Sequence, residues 1–168
     1  MISTWIKTII ILPFSVLFVI PAILLYCTGY HWTPNHWAWL GMGGILSAGG
    51  FFLAAWTMRL FATQGQGTAA PWNPPKKLVV AGPYCHVRNP MISSVLAILI
   101  AESLLLNSVW IFGWFVSFFI GNTIYFPLFE EKDLEKRFGE SYLEYKRNVP
   151  RWIPRFGAWR GGPRAQTT

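Results

Sequence analysis

Four long apolar runs alternate with short polar segments along this chain of 168 residues. They cover residues 8–26, about 37–61, 91–106 and 109–129. A run of about 20 apolar residues can cross a bilayer as a helix. The pattern predicts an all-α integral membrane protein with about four transmembrane helices, the third of which is short enough to lie partly within protein.

The first two runs differ in the packing that they predict. The first has no charge and lacks the small residues of a signal-peptide cleavage site, so we interpret it as a retained helix with possible kinks at Pro13 and Pro21. The second run is rich in small residues, which let two helices approach closely. We expect a packing face rather than a binding site from Gly41, Gly43, Gly44, Ser47, Ala48, Gly49 and Gly50.

The segments between the runs contain helix-breaking residues. Residues 63–77 hold repeated Gly and Pro, so we expect no regular element there. Only Asn107 and Ser108 separate the third and fourth runs, which predicts a tight helical hairpin.

A charged segment follows the fourth run and begins at Glu130. Its apolar residues recur at steps of three or four, which predicts a C-terminal amphipathic helix. We expect the helix to bend near Gly139 and to end at Pro150. The organisation is then one membrane domain over 1–156, followed by a basic, flexible tail over 157–168.

Composition supports the membrane interpretation. Hydrophobic residues make up 53% of the chain and charged residues only 12%, about half the charged fraction of soluble domains. The ten Trp residues suit the membrane interface. The net charge of +7 is better explained by cytoplasmic charge bias than by nucleic acid. Cys27 and Cys85 lie in opposite loops, so we expect free thiols, and no spacing of Cys and His suggests a metal.

The distribution of basic residues predicts the orientation. The linkers at 27–36 and 107–108 carry no charged residue, whereas Lys and Arg concentrate in 59–90 and after Glu130. Because positive residues favour the cytoplasmic side, we expect both termini in the cytoplasm. The membrane is then a bacterial inner membrane or one like the endoplasmic reticulum.

The candidate chemistry lies in the stretch GPYCHVRNPMI, residues 82–92. Arg88 precedes Asn89 and Pro90, a pair suited to start a helix. Glu130 and Glu131 close the fourth run on the same predicted side. Together they predict a polar niche in which Arg88 grips a carboxylate and a glutamate takes an ammonium. The alternative is that Asn89-Pro90 only starts the helix while Arg88 reaches lipid phosphate.

Other polar residues are weaker candidates. Glu102 lies inside the third apolar run, where an acid is costly and often functional, but we favour a structural role. We expect His86 to be a surface residue rather than a base. His31 and His36 lie in the outer linker.

The motifs GPY-x-x-x-RNP-M and EE-x-x-L-x-x-x-FGE-x-Y-x-x-Y-x-x-x-VPRW-x-P, about forty residues apart, resemble those of the isoprenylcysteine carboxyl methyltransferase superfamily. That superfamily also contains phospholipid N-methyltransferases. The resemblance covers about 58–156, the half expected to bind the cofactor. It implies an integral-membrane enzyme that takes S-adenosylmethionine from the cytosol and a lipophilic substrate from the bilayer.

The resemblance also assigns residues to roles. It matches Glu130 to a cofactor-binding glutamate, and Phe126 and Tyr125 are expected along the substrate path. On charge grounds we expect Arg88, Glu130 and Glu131 to be catalytic, with Arg88 on the cofactor carboxylate and a glutamate able to take the proton. The expected cofactor-binding residues are Lys76, Lys77, Leu78, Val79, Tyr84, Arg88, Asn89, Pro90, Met91, Ile92 and Glu130.

Two departures from the superfamily pattern bear on the substrate. Ile92 stands where a Tyr is usual, and Phe126 stands where the prenylcysteine enzymes have an Arg thought to hold the substrate carboxylate. A phospholipid amine, or another lipophilic nucleophile, is therefore favoured over a prenylcysteine. The alternatives are an NADPH-dependent membrane reductase of the sterol-reductase type and a non-catalytic membrane subunit.

We predict that a reporter fused after Thr168 behaves as cytoplasmic and that one inserted at 27–36 behaves as external. The reason is the charge asymmetry between those segments. Paired enzymatic reporters, each active on one side of the membrane only, measure this. A C-terminal fusion active on the outer side would contradict the four-span topology.

Overall fold

The computed structural model describes residues 10–33, 36–65, 76–159 and 161. Helix α1 joins a π-helical stretch, Ile10–Val19, to an α-helical one, Ile20–Cys27. The remaining helices are α2 (Trp37–Leu60, extended by a π-helical Phe61–Gly65), α3 (Pro90–Leu105), α4 (Val109–Tyr125), α5 (Glu131–Phe138) and α6 (Glu140–Asn148). A 3₁₀ turn covers Gly82–Cys85, and no strand occurs in these described ranges.

The predicted helix starts, hairpin and bend are confirmed. Helix α3 begins at Pro90, and Leu106, Asn107 and Ser108 join α3 to α4. Helix α4 continues through a π-helical Phe126–Glu130 into α5. Gly139 separates α5 from α6 with a φ of +55°, a conformation that side-chain-bearing residues rarely adopt. The amphipathic segment is therefore two short helices.

The apolar helices lie where the four runs are found. By length and composition, two of them can cross a membrane: Trp37–Gly65 and Val109–Phe138. The other two apolar helices, Pro13–Cys27 and Pro90–Leu105, are shorter. Four complete spans therefore stay a prediction.

One boundary was predicted wrongly. Residues 63–65 were expected to be irregular, but they belong to the π-helical end of α2. The hydroxyl of Thr63 donates to the backbone oxygen of Arg59 at 2.8 Å and supports that last turn. Residues 66–75 lie outside the described part of the chain.

The chain divides into two compact units. The first combines Met1–Ala55 with Ile92–Gly121. Its core contains Leu17, Val95, Ile98 and Leu99. The indole of Trp114 packs against this core and donates to the backbone oxygen of Val16 at 3.1 Å.

Two glycines of α2 form the expected close contact with α3 in the first unit. A Cβ added at Gly50 would lie 2.6 Å from Cγ1 of Ile98, and one at Gly43 would lie 2.8 Å from Cγ of Leu105. A Cβ at Gly49 would meet nothing within 4 Å, and the same holds for Gly41 and Gly44. The packing face is therefore narrower than the small-residue run.

The second unit combines Trp56–Met91 with Asn122–Thr168. Its core contains Tyr142, Tyr145 and Val149, against which Leu78, Val80, Leu134, Phe138 and Trp159 pack. Trp159 lies beyond residue 156, where the sequence predicts the tail to begin. Ordered packing therefore extends at least three residues further, while 162–168 lie outside the described residues.

We predict that Gly50→Ala lowers the free energy of unfolding by about 1–3 kcal/mol, because overpacking displaces Ile98 and the Ser94 backbone. The matched control is Gly49→Ala, which has open space and gains helix propensity of about 1 kcal/mol. Thermal unfolding in detergent compares the two variants. Equal melting temperatures would contradict the packing face.

Candidate functional site

A buried carboxylate, Glu131 at the start of α5, forms ion pairs with three cations in the second unit. Oε1 of Glu131 lies 2.9 Å from Nη1 of Arg88 and 2.7 Å from Nη2 of Arg151. Oε2 lies 3.1 Å from Nζ of Lys146. The Glu131 side chain is only 4% exposed, so these ion pairs lie in a poorly hydrated environment. We call Arg88, Glu131, Lys146 and Arg151 the Glu131 cluster.

The backbone around Arg88 is held in place by the C-terminal segments of the same unit. The Arg88 N–H donates to the backbone oxygen of Pro150 at 2.9 Å. The Tyr145 hydroxyl donates to the backbone oxygen of Tyr84 at 2.8 Å. The turn before Arg88 starts at Gly82, whose φ of +55° favours glycine. The predicted meeting of the 82–91 stretch with the region after Glu130 is therefore confirmed.

The Glu131 cluster contains more cations than nearby carboxylates. Lys146 also pairs with Glu135 at 2.7 Å, so three cations share two carboxylates. Hydrogen bonds to Glu135 and Glu131 raise the pKa of Lys146, which therefore stays charged at neutral pH. Nε of Arg88 is buried and has no hydrogen-bond partner among the described residues. A buried guanidinium N–H without an acceptor can donate a hydrogen bond to an anionic ligand.

Glu130 differs from its neighbour. Its side chain is exposed, and the described residues offer it no ion pair. Successive helical residues are about 100° apart around the axis, so the two carboxylates point in different directions. Among the described residues, Glu131 therefore pairs with three cations and Glu130 pairs with none.

Two phenols pack beside the Glu131 cluster. Burial, followed by the charge of Glu131, raises the pKa of Tyr142 to about 12. Burial, followed by Tyr142, also raises the pKa of Tyr145 well above its ordinary value. Both phenols are therefore protonated at neutral pH, and the Tyr145 hydroxyl donates to the backbone oxygen of Tyr84.

The phospholipid methyltransferase family model matches residues 38–141, more than half of the chain. The chain belongs to the phospholipid methyltransferase family. No curated protein and no solved structure matches significantly. The matched range includes Tyr84, Arg88, Glu130 and Glu131, but it ends before Lys146 and Arg151.

The other predicted cofactor residues of this family member occupy varied environments. Lys76 and Lys77 are exposed, and the Lys76 N–H donates to the backbone oxygen of Gly65 at 2.8 Å. Leu78 packs on the core of the second unit, whereas Val79 is itself buried. Their roles in binding a cofactor stay predictions.

The predicted residues around the start of α3 divide between the units. Tyr84 is buried, with its ring edge-on to Phe61 at 5.4 Å between centroids. Pro90 is fully buried, while Asn89 and Met91 are partly buried. Ile92 belongs to the first unit, so its place in this site also stays a prediction.

The two predicted substrate residues have opposite exposure. Tyr125 is exposed and stacks on Phe129 at 5.3 Å between ring centroids. Phe126 is buried, and Trp152 lies edge-on to it at 6.1 Å. Of the two, only Tyr125 presents its side chain at the surface of the second unit.

Sequence reasoning missed two members of the Glu131 cluster. Lys146 belongs to the charged helix and Arg151 to the motif VPRW, but neither was given a role. The available signal was spacing, since Lys146 lies four residues after the core residue Tyr142. For Arg151, the signal was its position directly after Pro150, the residue predicted to end the helix.

The two weaker candidates, His86 and Glu102, lie in different units. Nδ1 of His86 lies 2.8 Å from the backbone oxygen of Arg155, so that ring nitrogen carries a proton and ties down the C-terminal segment. Glu102 lies in α3 in the first unit, where its Oε2 is buried without a hydrogen-bond partner among the described residues.

We predict that Glu131→Ala costs about 3 kcal/mol or more, because it leaves three cations without their shared counter-charge. The control is Asp133→Ala, which removes a carboxylate that is 62% exposed and should cost less than about 1 kcal/mol. Urea unfolding in detergent measures both values. Similar losses in the two variants would overturn the cluster's stabilising role.

Proposed function

We propose that this chain transfers a methyl group from S-adenosylmethionine to a nucleophile on a membrane lipid, with a phospholipid amine as the favoured acceptor. Family membership supports the reaction class. One observation supports the site, and it concerns two groups of the second unit. Among the described residues, the buried Nε of Arg88 has no hydrogen-bond partner and the exposed Glu130, next to Glu131 in the chain, has no ion pair.

This pair of groups fits a zwitterionic cofactor. The Nε donor of Arg88 suits a carboxylate, and a guanidinium holds a carboxylate more firmly than a neutral donor does. The Glu130 carboxylate suits an ammonium group. Glu131 keeps the Arg88 guanidinium in place. Glu131 therefore positions the group that binds the cofactor and does not itself react.

S-adenosylmethionine supplies, when bound, a methyl group carried on a positively charged sulfur, and that sulfur is the leaving group of an in-line displacement. The chain's task is then to align the acceptor and to exclude water. Arg88 and Glu130 orient the polar end from the cytoplasmic side. The apolar end of α4 leaves the side opposite the cytoplasm open to lipid.

An amine acceptor must lose its proton before it can attack. A primary amine has an ordinary pKa of about 10.4, and transfer to an apolar environment lowers the pKa because the charged form loses hydration. Glu131 is a poor base because three cations stabilise its charged form. Approach past the apolar Tyr125 and Phe129 therefore favours the neutral amine.

The charge pattern disfavours a prenylcysteine carboxylate as the acceptor. Position 126 carries no cation, and its ring is covered by Trp152. Arg88 and Arg151 both pair with Glu131. The remaining Nε of Arg88 is assigned here to the cofactor carboxylate, so neither arginine is left for an acceptor carboxylate.

We predict that the full-length protein in nanodiscs binds S-adenosylmethionine but not NADPH, and that it transfers labelled methyl to a phosphatidylethanolamine. Isothermal titration measures binding, and lipid extraction measures transfer. Turnover of a farnesyl-cysteine acid without turnover of the phospholipid would contradict the acceptor. Selective binding of NADPH would favour the reductase, and binding of neither nucleotide would favour a non-catalytic subunit.

A further inference from the structure

The last described segment of the chain, residues 150–159, forms a strap along the motif stretch of the second unit. The Arg155 N–H donates to the backbone oxygen of His86 at 3.1 Å. The Trp159 N–H donates to the backbone oxygen of Cys85 at 3.0 Å. Together with the bond from Arg88 to Pro150, these contacts hold the strap at both ends and in the middle.

The strap turns two of its aromatic rings inward and two large apolar side chains outward. Trp152 contacts the ring of Phe126, and Trp159 contacts Tyr145 at 5.7 Å between ring centroids. Ile153 is 80% exposed, and Phe156 is fully exposed. Exposing two such side chains to water is unfavourable, and their fixed backbone prevents them from turning inward.

The strap lies where the apolar helix ends. Phe126, which Trp152 covers, is in the last turn before the charged residues from Glu130 onward. In the same turn Leu128 and Phe129 are exposed, so the apolar surface continues to this level. Ile153 follows Trp152 directly and therefore lies close to the level at which the helix leaves the lipid.

The charge of this region selects the partner. After Glu144 the chain contains six basic residues and no acidic residue. Lys146 and Arg151 pair with Glu131, and Arg147 pairs with Glu140, so the charge outside these pairs belongs to Arg155, Arg160 and Arg164. Apolar side chains beside clustered Lys and Arg are typical of segments that bind anionic membrane surfaces. A second copy of this chain would bring the same positive charge and be repelled.

We propose that the strap docks on the anionic phospholipid surface of the membrane from which the chain takes its substrate, with Ile153 and Phe156 inserted among the lipids. Arg155 is positioned beside them, with one guanidinium nitrogen bonded to the backbone oxygen of Asn148 at 2.8 Å. This inference does not rest on the cofactor or the reaction.

The test places the photo-crosslinker p-benzoylphenylalanine at position 156 of the full-length protein in nanodiscs. Mass spectrometry after irradiation identifies what has been captured. The matched control carries the same group in place of Glu140, an exposed acidic residue on α6 whose side chain is 78% exposed. We expect about tenfold more lipid adduct at 156 than at 140, the difference expected for a buried against an exposed aromatic ring.

Lipid composition and salt test the electrostatic part. The adduct at 156 should fall severalfold when phosphatidylglycerol is replaced by phosphatidylcholine, and high salt should reduce it in the anionic nanodiscs. The proposal is overturned if the two positions capture lipid equally, or if position 156 captures a second protein chain. Adduct yields independent of lipid charge would overturn the anionic surface as the partner.

Discussion

The second unit depends on one buried negative charge. The Glu131 carboxylate is removed from water, and such a charge is tolerable only when strong partners replace its hydration. Its three cations come from the stretch before α3, from α6 and from the strap. These three segments therefore meet at the start of α5, and the core residues Tyr142 and Tyr145 pack beside the Glu131 cluster.

That constraint separates the roles of two adjacent glutamates. Glu131 orders Arg88 and leaves one of its buried nitrogens without an acceptor among the described residues. Glu130, pointing elsewhere on the helix, is exposed and unpaired in that same part of the chain. Under the proposed function, the Arg88 cation and the Glu130 anion of this one unit bind the two charges of a zwitterion. The strap connects this site to the proposed lipid contact, because it bonds to the Arg88 backbone and also carries the apolar residues proposed to meet lipid.

Much of the helical architecture was predictable because it depends on local chemistry. Apolar runs located α1 to α4, Pro90 marked the start of α3, and Gly139 marked the break between α5 and α6. The contact of Arg88 with Glu131 followed from opposite charges on one side of the predicted membrane. The family resemblance was confirmed by the match over 38–141.

The rest depends on contacts that spacing alone does not determine. Gly43 and Gly50 meet α3 while Gly41, Gly44 and Gly49 do not, since only one face of α2 lies against that helix. A Lys on a charged helix usually faces water, and the spacing of Lys146 from Tyr142 indicates its helix face but does not identify Glu131 as its partner. Phe126 was expected beside the substrate, but its burial depends on Trp152, which lies 26 positions further along the chain.

The most direct test of the account is the cofactor affinity of Glu130→Gln, measured by isothermal titration beside the melting temperature of the ligand-free protein. The account predicts an affinity for S-adenosylmethionine reduced roughly tenfold or more, since a charge-assisted contact is worth about 1.5–3 kcal/mol. The melting temperature should stay unchanged, as in the control Glu140→Gln. An unchanged affinity with intact folding would contradict the assignment of Glu130 to the ligand and Glu131 to the fold.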